Sequence, residues 1–106
     1  MKREDLAKVA IKQIYNEYVG GLINTTYDYN QDTDEYKQAV AAIKDVEGIK
    51  EYIYRELVNY RPLIEYKGML VRIGTDIRFL GTEKINNMID LCIEILHPAD
   101  LDLINN

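Results

Sequence analysis

The stretch DTDEYKQAVAAIKDVEGIKEYIYRELVNYRP, residues 32–62, decides the fold because it carries a long and regular apolar pattern. Asp32 suits a helix N-cap, Glu35 follows at the capping-box spacing, and Pro62 supplies a stop. Between these ends apolar residues recur at steps of three or four, which is the helical period. The stretch is therefore predicted to be a long helix with a stripe formed by Tyr36, Val40, Ile43, Val46, Ile49, Ile53, Leu57 and Tyr60.

This long helix is predicted to kink or break near Gly48. At about 100° per residue, the apolar positions before and after Gly48 point in directions that differ by roughly 90° or more. A glycine inside a helix also costs roughly 1 kcal/mol relative to alanine. We expect two arms, one around Val40 that packs on the first helix and one around Ile53 that packs on a sheet or the last helix.

Two more helices flank this stretch. An apolar stripe predicts a helix over residues 3–19, which Gly20-Gly21 should end. Thr82 is expected to cap the last helix, and His97-Pro98 to end it. This last helix is apolar on nearly every face, so we expect it to be buried on more than one side or to form a subunit interface.

The pattern between these helices changes to the alternation that is typical of strands. Residues 63–66 and 69–73 predict a hairpin around a Lys67-Gly68 turn, and residues 77–80 predict a third strand. The predicted fold class is therefore α+β. Its elements are an N-terminal helix, a long helix kinked or broken near Gly48, a three-stranded antiparallel β-meander and a C-terminal helix.

Composition indicates one domain and argues against a general duplex-DNA binder. A chain of 106 residues, 47% of them hydrophobic, fits a single α+β domain over residues 1–106. The net charge is −5, whereas nonspecific DNA affinity comes from Lys and Arg. No apolar run is long enough to span a membrane, no signal-peptide pattern is present, and Cys92 is the lone cysteine, so a cytoplasmic location is expected.

The sequence carries no strong catalytic, cofactor or metal signature, and we predict none of these and no enzyme activity. Serine is absent, and a single histidine, His97, cannot build a multi-histidine metal site. Cys92 lies on an apolar stripe, where it is expected to be a packed hydrophobe. The acidic loop 28–34 resembles the start of an EF-hand, but Thr33 replaces the required glycine and Ala39 the required glutamate.

Tyrosine is abundant, with nine copies and no tryptophan, and it suits contact surfaces because it offers large area at low entropic cost. Four tyrosines lie off the apolar stripes and have acidic neighbours. The predicted partner-binding residues are Tyr27, Asp28, Tyr29, Asp32, Asp34, Glu47, Glu51, Tyr52 and Tyr54. A second candidate patch, on the outer face of the predicted sheet, consists of Arg72, Arg78 and Leu70.

These features favour binding without catalysis. The preferred interpretation is a small acidic inhibitor that occludes a basic, nucleic-acid-binding surface of a partner protein. Small acidic inhibitors made by phages and mobile elements against host nucleases and defence complexes act in this style, which is an analogy and not a family match. The alternatives are a homodimeric structural or scaffold protein, built on the last helix, and an ion or small-molecule sensor that uses loop 28–34. In the preferred interpretation the partner is another protein, and neither duplex nucleic acid nor a membrane is bound.

Overall fold

The computed structural model describes residues 3–60, 63–72 and 76–105, and most of them are helical. The predicted α+β class with a three-stranded meander is wrong, because the strands in these ranges form only one two-stranded hairpin. In chain order the elements are α1 (Arg3–Asp28), α2 (Asp34–Lys44), α3 (Val46–Arg55), a π-helical segment (Glu56–Tyr60), β1 (Leu63–Tyr66), β2 (Met69–Arg72), a 3-10 helix (Asp76–Leu80) and α4 (Thr82–Asn105).

The predicted break in the long helix is present, but it lies at Asp45, three residues before Gly48. The backbone N–H of Asp45 donates to the carbonyl of Ala42 at 3.2 Å and closes α2. The Asp45 carboxylate accepts from the Gly48 N–H at 3.0 Å and caps α3. A Cβ at position 48 would lie 2.3 Å from Asp45 Oδ2, so any other residue there would force the carboxylate out of its present position. The glycine thus leaves room for this cap, and the break itself lies at Asp45.

The two ends of the long stretch also differ from the prediction. Thr33, and not Asp32, is the N-cap of α2, and its hydroxyl accepts from the Tyr36 N–H at 3.2 Å. At the other end the α-helical hydrogen bonding stops at Arg55 and continues as the π-helical segment. Pro62, the predicted stop, lies outside the described residues.

Residues 77–80, predicted as a third strand, belong to the 3-10 helix instead. Ile77 is buried in the core and Leu80 packs against it, whereas Phe79 is 72% exposed. Residues three apart share one side of a 3-10 helix, while a strand would place Ile77 and Phe79 together. Packing against the core therefore favours the 3-10 helix, which buries Ile77 and Leu80 together, over a strand, which would bury Ile77 and Phe79 together. The predicted end of the second strand and the loop after it, residues 73–75, lie outside the described ranges.

The hairpin has the predicted two-residue turn, with Tyr66 opposite Met69. The turn residues Lys67-Gly68 both have positive φ, 52° and 79°, as a type I′ turn requires. The side chain of Gln13 on α1 holds the hairpin through the backbone of Glu65. Its amide nitrogen donates to the Glu65 carbonyl, and its oxygen accepts from the Glu65 N–H at 3.2 Å.

Both outer helices are longer than predicted because tertiary contacts stabilise the extensions. Helix α1 continues through Gly20-Gly21, and Ile23 beyond them packs against the core. Helix α4 continues through Pro98, where buried His97 and the Tyr15–Asp100 hydrogen bond fix the turns on either side. The acidic connection between α1 and α2 is correspondingly shorter than expected.

The core lies between α1, α3 and α4. Helices α1 and α4 run parallel, since Glu4 pairs with Lys84 near their starts and Tyr15 contacts His97 further along. The two-arm prediction is confirmed: α2 packs on α1, and α3 packs on α4. The main core cluster consists of Ala7, Ala10, Ile11, Ile14, Tyr15, Val19, Ile49, Ile53, Leu57, Ile77, Ile85, Ile89 and Ile93.

Candidate functional site

The predicted partner-binding residues fall in two places in the structure. Five of them surround the connection between α1 and α2, and we call these the connection cluster. All five are exposed, including Tyr27 at 72% and Tyr29 at 46%. The described part of the chain contains no group of three or more Asp, Glu, His or Cys that could hold a metal ion. The connection cluster is formed by Tyr27, Asp28, Tyr29, Asp32 and Asp34.

The other predicted residues lie on α3, where three of them line a groove between α3 and α4. Helical spacing explains the arrangement, because residues three or four apart share one face of a helix. The groove has a volume of about 650 Å³. We call it the acidic groove, and its lining residues are Glu47, Lys50, Glu51 and Tyr54 from α3 and Thr82, Asn86 and Asp90 from α4.

The acidic groove has an excess of negative charge. The Lys50 ammonium lies 3.1 Å from Asp90 and 3.6 Å from Glu47, so its charge is already matched by two carboxylates. The hydrogen bond to Asp90 is the main cause that raises the pKa of Lys50, and Glu47 adds to it. Glu51 is exposed and forms no ion pair with any described residue. Three carboxylates thus face one ammonium group.

Two tyrosines that the sequence assigned to the same surface have different environments. The Tyr54 hydroxyl lies 3.3 Å from Thr82 Oγ1 and forms part of the acidic groove. Tyr52 instead stacks on Tyr18, with ring centroids 4.1 Å apart, and its hydroxyl donates to Glu56 at 2.9 Å. Tyr52, like Tyr54, is therefore partly buried against the core, and its predicted role in partner contact stays a prediction.

The second candidate patch does not form as a sheet face. Arg78 lies on the 3-10 helix, where its guanidinium donates to the Val58 carbonyl at 2.8 and 2.6 Å and to Asn59 Oδ1 at 3.2 Å. It therefore satisfies a carbonyl of the π-helical segment. Leu70 on β2 is 73% exposed, and the side chain of Arg72 lies outside the described part.

A buried polar network that the sequence analysis missed joins α1 to α4. The Tyr15 hydroxyl donates to Asp100 Oδ2 at 2.6 Å and lies 2.9 Å from His97 Nδ1. Because the Tyr15 hydroxyl donates its proton to Asp100, its oxygen can only accept from His97. We therefore place a hydrogen on Nδ1 of His97, which donates to the Tyr15 oxygen. Burial, followed by the hydrogen bond to Asp100, raises the pKa of Tyr15.

This network lies inside the protein, with Tyr15 1% and His97 2% exposed. The Nε2 atom of His97 finds no hydrogen-bond partner among the described residues. A sequence signal for it exists, because His97 follows Ile93 by four residues on the buried stripe of α4. The expected helix end at Pro98 concealed that continuity.

A second groove, between α1 and the exposed side of α4, is almost entirely apolar and has a volume of about 260 Å³. Leu91 is 52% and Ile95 66% exposed there. Cys92 is half-buried, and burial raises the pKa of its thiol while the nearby Lys12 opposes that effect. We call it the apolar groove, and its lining residues are Lys8, Ile11, Lys12, Met88, Leu91, Cys92, Ile95 and Leu96.

None of the described helices is both long enough and apolar enough to cross a membrane. Comparisons of the chain with protein-family models, with curated proteins and with solved structures gave no match. The two grooves and the connection cluster are therefore interpreted from their own chemistry.

Proposed function

We propose that this chain is a non-enzymatic protein-binding module whose acidic groove binds a basic surface of a partner protein and keeps nucleic acid from that surface. The observation that carries the proposal is the excess of carboxylates in the acidic groove, where Lys50 is already matched. Glu47, Glu51 and Asp90 would attract a basic surface of the partner, and no unpaired cation among the lining residues of the groove would repel it. Complementary charge of this kind supplies specificity and a fast on-rate.

The residues that line the acidic groove suit arginine side chains of the partner. A guanidinium group pairs with a carboxylate through two parallel hydrogen bonds and also stacks on aromatic rings. Glu51 offers an unpaired carboxylate, and Tyr54 lines the groove on the same helix. Because α3 and α4 are packed helices, the backbone positions that carry these groups are fixed before the partner arrives, which reduces the entropic cost of binding.

The connection cluster is proposed as an auxiliary contact with the same chemistry. Tyr27 and Tyr29 are exposed among Asp28, Asp32 and Asp34, so they offer apolar area beside negative charge. The proposal also places the protein in the cytoplasm, where a single cysteine stays reduced. Small acidic inhibitors of phages and mobile elements remain the closest analogy in character.

The experiment begins with affinity capture from a host lysate, followed by purification of the captured protein. Two variants with equal charge change are then compared. The groove variant is Glu47→Gln, Glu51→Gln and Asp90→Asn, and the connection variant neutralises its three aspartates to asparagine. We expect about a hundredfold loss of affinity in the groove variant and less than about tenfold in the connection variant.

Nucleic acid supplies the decisive competition. The purified partner should bind nucleic acid, and this chain should displace it in a salt-dependent manner. Thermal unfolding followed by circular dichroism checks that both variants remain folded. A captured protein without nucleic-acid affinity, wild-type affinity in the groove variant, or a stable ternary complex would each refute the proposal.

A further inference from the structure

The apolar groove presents large apolar side chains that no described part of the chain covers. Leu91 and Ile95 are 52% and 66% exposed, and Met88 lies one turn earlier on the same face of α4. Contiguous exposed apolar surface with polar flanks is typical of a protein interface. A stripe on one helix face specifically suits another helix.

The two flanks of this stripe carry opposite charges. On the α1 side lie Lys8 and Lys12, both exposed. On the other side lies exposed Glu94, because at about 100° per residue it points roughly 60° away from Leu91 in the direction opposite to the groove. None of these three residues forms an ion pair with a described residue. Among the described residues, nothing pairs with the charges on the two flanks, and nothing covers the apolar stripe between them.

We propose that a second copy of this chain covers the stripe, with α4 packed against α4 in parallel orientation and Lys12 of each copy opposite Glu94 of the other. The charges select this orientation. A twofold axis parallel to the helices brings the α1 flank of each copy against the Glu94 flank of its mate. A twofold axis perpendicular to them would instead bring the two lysine flanks together, which like charge opposes.

The axial positions fit the same pairing. Lys12 lies on α1 between Glu4, which pairs with Lys84, and Tyr15, which contacts His97, and it lines the same groove as Cys92, so it lies near the level of Cys92 on α4. Glu94 is two residues further along, which corresponds to about 3 Å on the helix axis. In the parallel arrangement the copies are level, and a lysine side chain spans that offset. The apolar stripe itself points away from the acidic groove, but Glu94 lies one turn after Asp90, which lines that groove. The proposal does not rest on the proposed function, because association of this chain is measured with no other protein present.

The first test measures association by sedimentation equilibrium and light scattering. The wild-type chain should reach twice its mass of 12.3 kDa as concentration rises. Lys12→Glu and Glu94→Lys should each weaken association about tenfold or more. Mixing the two variants should restore it, because both contacts then join opposite charges. Lys37→Glu makes the same charge change at an exposed site on α2 and should leave association unchanged.

The second test determines orientation by disulfide formation in a Cys92→Ala background. In a parallel pair each position on the seam faces its own copy, so Leu91→Cys and Ile95→Cys should each form cross-linked dimers on oxidation. An antiparallel pair would favour cross-links in a mixture of the two variants. Cross-links that form only in the mixture would overturn the proposal. So would a wild-type chain that stays monomeric at high concentration, or a dimer whose affinity is unchanged by both charge reversals. Circular dichroism confirms that each variant remains helical.

Discussion

Replacing Gly48 with alanine tests the capped break between α2 and α3. Two effects of similar size oppose each other at this position. Alanine is favoured over glycine inside a helix by about 1 kcal/mol. The added Cβ would lie 2.3 Å from Asp45 Oδ2 and displace the carboxylate that accepts from the Gly48 N–H. Loss of such a cap costs about 1 kcal/mol, so we expect Gly48→Ala to change the free energy of unfolding by less than about 0.5 kcal/mol.

The double-mutant cycle separates these two effects. Asp45→Ala alone should destabilise the protein by about 1 kcal/mol, because only the cap is lost. Adding Gly48→Ala to that background should restore about 1 kcal/mol, because the cap is no longer there to be displaced. The coupling between the two sites is then about 1 kcal/mol in magnitude.

The measurement is urea denaturation followed by the helical circular dichroism signal. Gly21→Ala is the matched control, since a Cβ there has no heavy atom within 4 Å and the full helix-propensity gain should appear. The reasoning would be refuted if Gly48→Ala stabilised the wild type as much as Gly21→Ala does. Equal effects of Gly48→Ala with and without the Asp45 carboxylate would refute it as well.

Tyr15, Gly68 and Cys92 give further predictions. Tyr15→Phe should cost about 1.5–3 kcal/mol in urea denaturation, because His97 and Asp100 lose their shared partner inside the protein. An unfolded tyrosine, with a pKa near 10, loses its proton at a pH where folded Tyr15 keeps it. The free energy of unfolding of the wild type should therefore fall more steeply above about pH 10 than that of Tyr15→Phe. Equal pH dependence of the two proteins would contradict this. Gly68→Ala should cost about 1 kcal/mol in the same assay, because φ is +79° there, and an unchanged midpoint would argue against the type I′ turn. Cys92 should react with a thiol reagent more slowly in the native protein than in urea, since burial raises its pKa, and equal rates would contradict its half-buried position.

The local patterns of the chain predicted the helices and their contacts better than the fold class. The apolar direction changes within residues 32–62, and that change together with Gly48 indicated the two arms, of which one packs on α1 and the other on α4. The hairpin turn followed from Lys67-Gly68 between alternating residues. The third strand failed because four residues with alternating hydrophobicity satisfy either a strand or a 3-10 turn, and only the surrounding core distinguishes them.

The candidate site was predictable where it depended on spacing along one helix. Glu47, Glu51 and Tyr54 share a face because they are three or four residues apart, and they do line one groove. Their partner Asp90 comes from a distant helix, and no local signal connects it with Glu47. The sequence analysis assigned Tyr52 to the same surface because it lies off the apolar stripe. Its partial burial comes from stacking against Tyr18, a contact that the sequence does not reveal.

The sequence by itself determined the acidic balance and the helical periods, since a helical period depends on residues within a few positions of one another. It did not determine the caps, because Thr33 takes the place predicted for Asp32 and Asp45 caps α3. The tertiary structure decided the extent of the outer helices. Helix α1 remains helical through Gly20-Gly21 and α4 through Pro98, because contacts with the core and the buried Tyr15–His97 pair outweigh the local cost of glycine and proline. The tertiary structure also decided which faces stay exposed. The acidic groove and the apolar groove exist only because α4 packs beside both α3 and α1, and that arrangement is a property of the whole core.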